Sequence, residues 1–334
     1  MKQRIEFIDL AKGFCIILVI FGHISGDLSN SFMVLSMTMF RMPLYFLLSG
    51  LFFKPYNFIV FLKKKINKLI IPFLFCFLFF IIPSKFLIEW IFEGNISPYY
   101  FRGQYGRINL ELIPASWFLI CLFIINIYFY IIYMIRRHNI IAISIIGGCC
   151  GIIGYALDYY DLYLPMWLDS SLTAIPFFII GYIIRNYSNI LYDKVSLKYI
   201  GWGIFSLFVL LSVYYINKAQ SSSRILYVYN IFDVNMLSLY ASGIAGAYIV
   251  LLVSKYFVYV PVISYIGRYS IIVLLTHQLY IAILSNMLSQ LNVNQEAEIV
   301  NFGVFIIILI LSLPTIKFCV KYLPYCFAQK DILK

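Results

Sequence analysis

Three titratable side chains, Asp9, Lys12 and His23, stand inside the otherwise apolar stretch DLAKGFCIILVIFGH at positions 9–23. An ionised group at mid-bilayer costs on the order of 2.5–3.5 kcal/mol on insertion scales, so such groups face a partner or a wet cavity. Asp9 and Lys12 are three residues apart and therefore neighbours on one helical face. His23 follows Lys12 by eleven residues. That spacing is close to three turns, so both point to nearly the same side, roughly 16 Å apart along the axis. One face thus carries a cation at one end and an imidazole, which titrates near neutral pH, at the other. Anion binding at the first and proton transfer at the second are the chemistry this pattern suits. The plainer alternative leaves Asp9 and Lys12 at the membrane interface, with Lys12 snorkelling to water.

The next apolar stretch, FRMPLYFLLSGLFF at 40–53, puts Arg41 inside a second span, in its outer half, at a depth where it can meet His23. A guanidinium there suits an oxyanion or substrate clamp; the alternative is a carboxylate partner elsewhere in the bundle. Pro43 frees backbone groups nearby, and Ser49-Gly50 offers close helix contact. Ser49 is not a nucleophile elbow, because Leu47 stands where G-x-S-x-G needs glycine. Asp27 would lie one turn beyond His23 on a continuing helix and fix its tautomer, unless Gly26 ends the helix first. His277 lies near mid-bilayer in the ninth apolar stretch, either as a substrate-binding group or in a hydrogen bond between helices. Trp117 opens the fourth stretch at the outer interface, as an aromatic-belt anchor or a sugar-stacking platform.

The elements that must position these groups follow from composition. The 334 residues are 63% hydrophobic and only 12% charged. Repeated apolar runs of helical length predict an all-α, polytopic membrane bundle in a single domain, 1–334, with no separate soluble domain. The expected spans are ten: 7–25, 33–53, 69–92, 116–135, 140–157, 171–184, 199–216, 237–254, 269–288 and 299–316. Of the 25 basic residues, 18 fall in alternate connecting segments against Glu6, Asp193 and Asp331, whereas the other segments hold four against nine acids. The positive-inside rule then places both termini in the cytoplasm, and the net charge of +11 is a topology signal rather than a sign of nucleic-acid binding. Lys2 and Arg4 before an apolar run imitate a secretory signal, but Asp9 and Lys12 interrupt it, so an uncleaved first helix is expected. The seven cysteines are odd in number and lack a C-x-x-C, and the three histidines lack ligand spacing; they predict apolar filler and no metal.

The first-helix stretch resembles the signature of the membrane acyltransferase-3 family, in which a basic residue precedes histidine by eleven positions, here Lys12 and His23. FRMPLYFLLSG resembles that family's second-helix motif. Lys65 and Lys68 before LIIP at 69–72 resemble its third, with lysine in place of arginine. SWFLICLF, PFFIIGYIIR and IGRYSIIVLLTH resemble later, weaker motifs, so the likeness runs through nearly the whole chain. Lysine at position 12 is similar to the fucose 4-O-acetylase-like and poly-N-acetylglucosamine modification branches. The resemblance implies an O-acyltransferase in the bacterial cytoplasmic membrane. It would move an acyl group, most often acetyl, from cytoplasmic acyl-CoA to a hydroxyl of a cell-surface saccharide or its lipid-linked precursor. Acyl-CoA is then a donor substrate and no cofactor is bound. His23 is expected as general base or acyl relay and Arg41 as the oxyanion clamp, with Asp9 and Lys12 beside them; Lys12, Lys65 and Lys68 would hold the CoA phosphates. The Lys63–Lys65 run is equally readable as a topogenic charge cluster. A transporter or flippase of a glycan precursor would also place charges inside a ten-helix bundle, and a non-catalytic subunit of an export machine is a third reading. Oligomeric state is not legible.

Overall fold

The computed structural model describes residues 5–24, 32–81, 115–137, 139–218, 225–294 and 297–333. It is a helical bundle. The first helix, α1 (Glu6–Ile24), opens with Glu6 and Asp9 in its first turn, acids matched to the positive end of the helix dipole, and has His23 in its last turn. Then comes α2 (Phe32–Gly50), with Pro43 inside it. Asn57 caps α3 (Phe58–Lys65) by accepting a 3.2 Å hydrogen bond from the Ile59 N–H. A π turn at Ile66–Ile70 leads into α4 (Ile71–Cys76), and a second π turn covers Phe77–Ile81. The first π turn directly precedes Pro72, whose ring would otherwise press on a carbonyl one turn back.

The bundle continues with α5 (Trp117–Ile135), α6 (Ile140–Tyr159), α7 (Leu168–Tyr187), α8 (Leu197–Lys218) and α9 (Met236–Phe257). Asn139 and Asn235 cap α6 and α9 by accepting from the N–H groups of Ala142 (2.9 Å) and Ser238 (2.8 Å). A two-stranded antiparallel hairpin, Ile225–Leu226 with Ile231–Phe232, joins α8 to α9. The chain ends in α10 (Pro261–Arg268), α11 (Ser270–Gln290) and α12 (Glu298–Tyr322).

Among the described residues, eight helices are long and apolar enough to cross a membrane. They coincide with eight of the ten expected spans. The expected 33–53 span corresponds to α2, and that at 69–92 begins in the first π turn and runs through α4 and the second, its stretch 82–92 lying outside the described residues. Two features depart from the sequence reading. The sixth span starts earlier than expected, at Leu168. The segment before the ninth span, expected as a connection, contains α10, a short amphipathic helix packed along α1.

Close backbone approach holds the centre together. Gly50 of α2 lies on the backbone of Phe178, and Gly181 of α7 on the backbone of Leu47, so an added Cβ at either would overlap a carbonyl oxygen. Gly13 and Gly267 bring α1 and α10 together in the same way. α7 is the most buried of the described spans and α12 the least. Large apolar side chains stand exposed on α6, α8 and α12, among them Ile141, Phe208 and Ile310, as lipid contact requires. The C-terminal segment folds back on the π turn. Asn67 donates to the Leu333 carbonyl (2.8 Å) and accepts from the N–H groups of Ile332 and Leu333, while Phe327 is wholly buried.

Gly181→Val is therefore expected to destabilise the bundle by about 1–3 kcal/mol, the usual cost of overpacking. Gly201→Val, at an exposed position on α8 where an added Cβ meets nothing, is expected to be neutral. Equilibrium unfolding of both variants in mixed detergent checks the difference.

Candidate active site

Three helices bring polar groups to one place inside this apolar bundle. α2 supplies Arg41, whose guanidinium lies across Gly22 of α1; any Cβ at Gly22 would overlap Nη1. The Cys15 thiol of α1 donates to the Arg41 carbonyl at 3.0 Å and fixes the same two helices below the guanidinium. α11 supplies His277. Its Nδ1 lies 2.9 Å from the Val273 carbonyl, one turn back. A carbonyl only accepts, so Nδ1 carries the hydrogen and Nε2 keeps a lone pair. The His277 ring stands 5.4 Å from that of His23, at an interplanar angle of 42°.

Two atoms of this cluster are buried without a hydrogen-bond partner: Arg41 Nη1, a donor, and His277 Nε2, an acceptor. Orphaned buried polar atoms are scarce in native structures and call for an explanation such as a ligand. His23 follows Gly22, against which the guanidinium lies, its ring faces that of His277, and it is exposed. An accessible imidazole near a spare donor and a spare acceptor can take up a proton while the guanidinium steadies negative charge on a nearby oxygen.

At the N-terminal end of α1 a cleft of about 610 Å³ opens, lined by Asp9, Lys12, Phe52, Lys54, Arg185 and Asn186 among others. The Lys12 ammonium sits over the Phe52 ring, 4.4 Å from its centroid. Three cations thus line one cavity on the face of α1 that carries His23. Asp9 also borders a second pocket of about 240 Å³, with Glu6, Ser264, Tyr265 and Arg268.

The structure brings His277 to His23, which the sequence reading did not anticipate, and places Arg41 against the neighbouring Gly22; Asp9 and Lys12 line one cleft. It does not bring Lys65 and Lys68 to the cleft lining. The Lys68 ammonium donates to the Ala328 carbonyl at 2.6 Å and pairs with Asp331 at 3.2 Å, so the C-terminal segment occupies it. Lys65 is half-buried near the Phe61 ring, and burial pushes its amine down to about 8. Lys54 and Arg185, far from Lys12 in the chain, join it in the cleft lining, a convergence that only the tertiary fold produces. Trp117 departs from the belt-anchor reading. It is 7% exposed and packs on Phe118 and Trp167, the second ring 6.5 Å away. Trp167 reaches it from a turn in which Met166 and Trp167 both have positive φ, 52° and 59°. Asp27 lies outside the described residues. Among the described residues no three His, Cys, Asp or Glu side chains group as a metal site.

A family model described as an acyltransferase domain matches residues 5–316, from α1 into α12. The chain belongs to the acyltransferase-3 family. No curated protein and no solved structure matches it. The protein is thus a multi-pass membrane acyltransferase, and both the histidine–arginine cluster and the basic cleft fall inside the matched residues.

In this acyltransferase Gly22→Ala is expected to push the guanidinium off its seat. If Arg41 serves the transfer, as proposed below, the rate falls by about 10²-fold, with thermal stability nearly unchanged because the displaced group is the end of a flexible side chain. Initial rates alongside a thermal unfolding curve check both halves of the statement.

Proposed function

We propose that this acyltransferase moves an acetyl group from cytoplasmic acetyl-CoA to a hydroxyl of a cell-surface saccharide or its lipid-linked precursor. The observation that carries the reading is the exposed His23 in one cluster with two orphaned buried atoms, Nε2 of His277, whose ring faces its own, and Nη1 of Arg41, which lies against the neighbouring Gly22. The second support is the cationic cleft at the other end of the same helix face. The saccharide acceptor rests on the likeness of the motifs around Lys12 and His23 to the sugar-acetylating branches.

In this reading Lys12, Lys54 and Arg185 hold the CoA phosphates, and Asp9 orients Lys12 from one turn away. The thioester extends along α1 to His23. The acceptor oxygen attacks the thioester carbonyl carbon while His23 removes the hydroxyl proton. Arg41 stabilises the oxyanion of the tetrahedral intermediate. The C–S bond then breaks, the ester remains on the sugar, and the CoA thiolate takes the proton from His23. A relay is the variant form: a His23 nitrogen takes the acetyl group first, releases CoA, and hands the group to the acceptor hydroxyl. It would let a cytoplasmic donor serve an external acceptor.

The test counts ester-linked acetyl groups on the surface glycans of the host in three strains: intact, deleted, and complemented with His23→Ala at matched membrane abundance. One ester is expected to vanish on deletion and to stay absent with His23→Ala while glycan export continues. Unchanged esters together with lost surface glycan would overturn the proposal in favour of transport. In purified protein, Lys54→Ala and Arg185→Ala are each expected to raise KM for acetyl-CoA roughly tenfold, the worth of one charge-assisted hydrogen bond, with kcat little altered.

A further inference from the structure

We infer that His277 is a positioning residue for His23: its Nε2 accepts the N–H of one His23 ring nitrogen, leaving the other ring nitrogen, lone pair outward, as the base. The inference rests on the acetyl-transfer reading of this site and assigns the second histidine a part in it.

Several observations converge. The Nδ1–H of His277 is committed to the Val273 carbonyl, so the ring is held in one tautomer and its remaining nitrogen can only accept. That nitrogen is buried and has no partner. The one accessible imidazole of the cluster, His23, has its ring centroid 5.4 Å away. Two imidazoles joined by one N–H···N bond have centroids about 5 Å apart, so a small ring rotation closes the bond. Such contacts are often open in the free enzyme and tighten around substrate. Among the described residues, the charged or titratable groups that act on His23 are His277 of α11 and Arg41 of α2.

During transfer, His23 takes the proton of the acceptor hydroxyl on its outward nitrogen. The imidazolium so formed keeps its other N–H on His277 Nε2, and the charge is steadied by a neutral acceptor. When the thiolate leaves, the same proton passes to sulfur and the pair returns to its starting tautomers. His277 itself neither gains nor loses a proton.

The test has one readout independent of catalysis. The full-length protein, reconstituted in lipid nanodiscs, is treated with diethyl pyrocarbonate, and carbethoxylation of His23 is followed by mass spectrometry across pH. Wild type is compared with His277→Gln, His277→Asp and His277→Phe. Asp is expected to move the midpoint of His23 labelling to higher pH by about 1–3 units, because a carboxylate favours the imidazolium. Gln, which offers an amide oxygen in place of Nε2, is expected to keep the wild-type midpoint. Phe is expected to change both midpoint and rate. In the second arm, acetyl transfer from acetyl-CoA to the lipid-linked saccharide fraction of the host membrane should fall at least tenfold in kcat with Phe, largely recover with Gln, and show unchanged KM for acetyl-CoA. Identical His23 labelling in all four proteins would overturn the pairing. So would a Gln variant as slow as Phe, which would leave His277 a packing residue only. Labelling that shifts as stated in a protein that transfers no acetyl group would keep the pairing and sink the acetyl-transfer reading instead.

Discussion

A guanidinium laid across a glycine inside an apolar bundle is the constraint on which the site depends. Arg41 Nη1 has no hydrogen-bond partner, and a membrane interior offers no water to replace one. The helices around it are arranged so that it can stand there. Gly22 gives the group its seat on α1, and the Cys15 thiol ties α1 to the Arg41 carbonyl. The close α2–α7 contact through Gly50 and Gly181 fixes the helix that carries it. The arrangement leaves His23, adjacent to Gly22 in the chain, beside the one strong donor of the centre.

The second consequence is polarity along the bundle. α1 joins two environments: a cationic cleft at its N-terminal end and the histidine–arginine cluster beyond it. α10 packs against the N-terminal half of α1 through Gly13 and Gly267, and α11 starts just after it, which sets His277 level with His23. The short helix thereby decides which turn of α11 meets the site. A donor bound by its charges at one end and reacting at the other needs such an axis.

How much of this was legible in the sequence depends on the range of the interaction that decides it. Continuous apolar runs fix helices locally, so the spans were readable. The eleven-residue spacing of Lys12 and His23 fixes their common face, and the depth of Arg41 in its run anticipated its meeting with α1. Long-range placements were not readable. Lys68 looked like a free cation because its partners, Ala328 and Asp331, are more than 250 residues away in the chain. Lys54 and Arg185 become cleft residues only once α2 and α7 lie side by side. Trp117 has the position of an interfacial anchor, but Trp167 arrives across it from a left-handed turn that no local pattern announces. α10 escaped notice because eight residues between two longer runs carry too little periodic signal.

The central claim is that His23 and Arg41 act together on the acyl group. Its most direct test is the release of free CoA thiol from acetyl-CoA in proteoliposomes of the full-length protein, with the host's lipid-linked saccharide fraction present. Wild type, His23→Gln and Arg41→Gln are compared at equal folded amounts. The account predicts that each variant lowers kcat by about 10²–10⁴-fold, with KM for acetyl-CoA little changed. Either variant releasing thiol at the wild-type rate would contradict it.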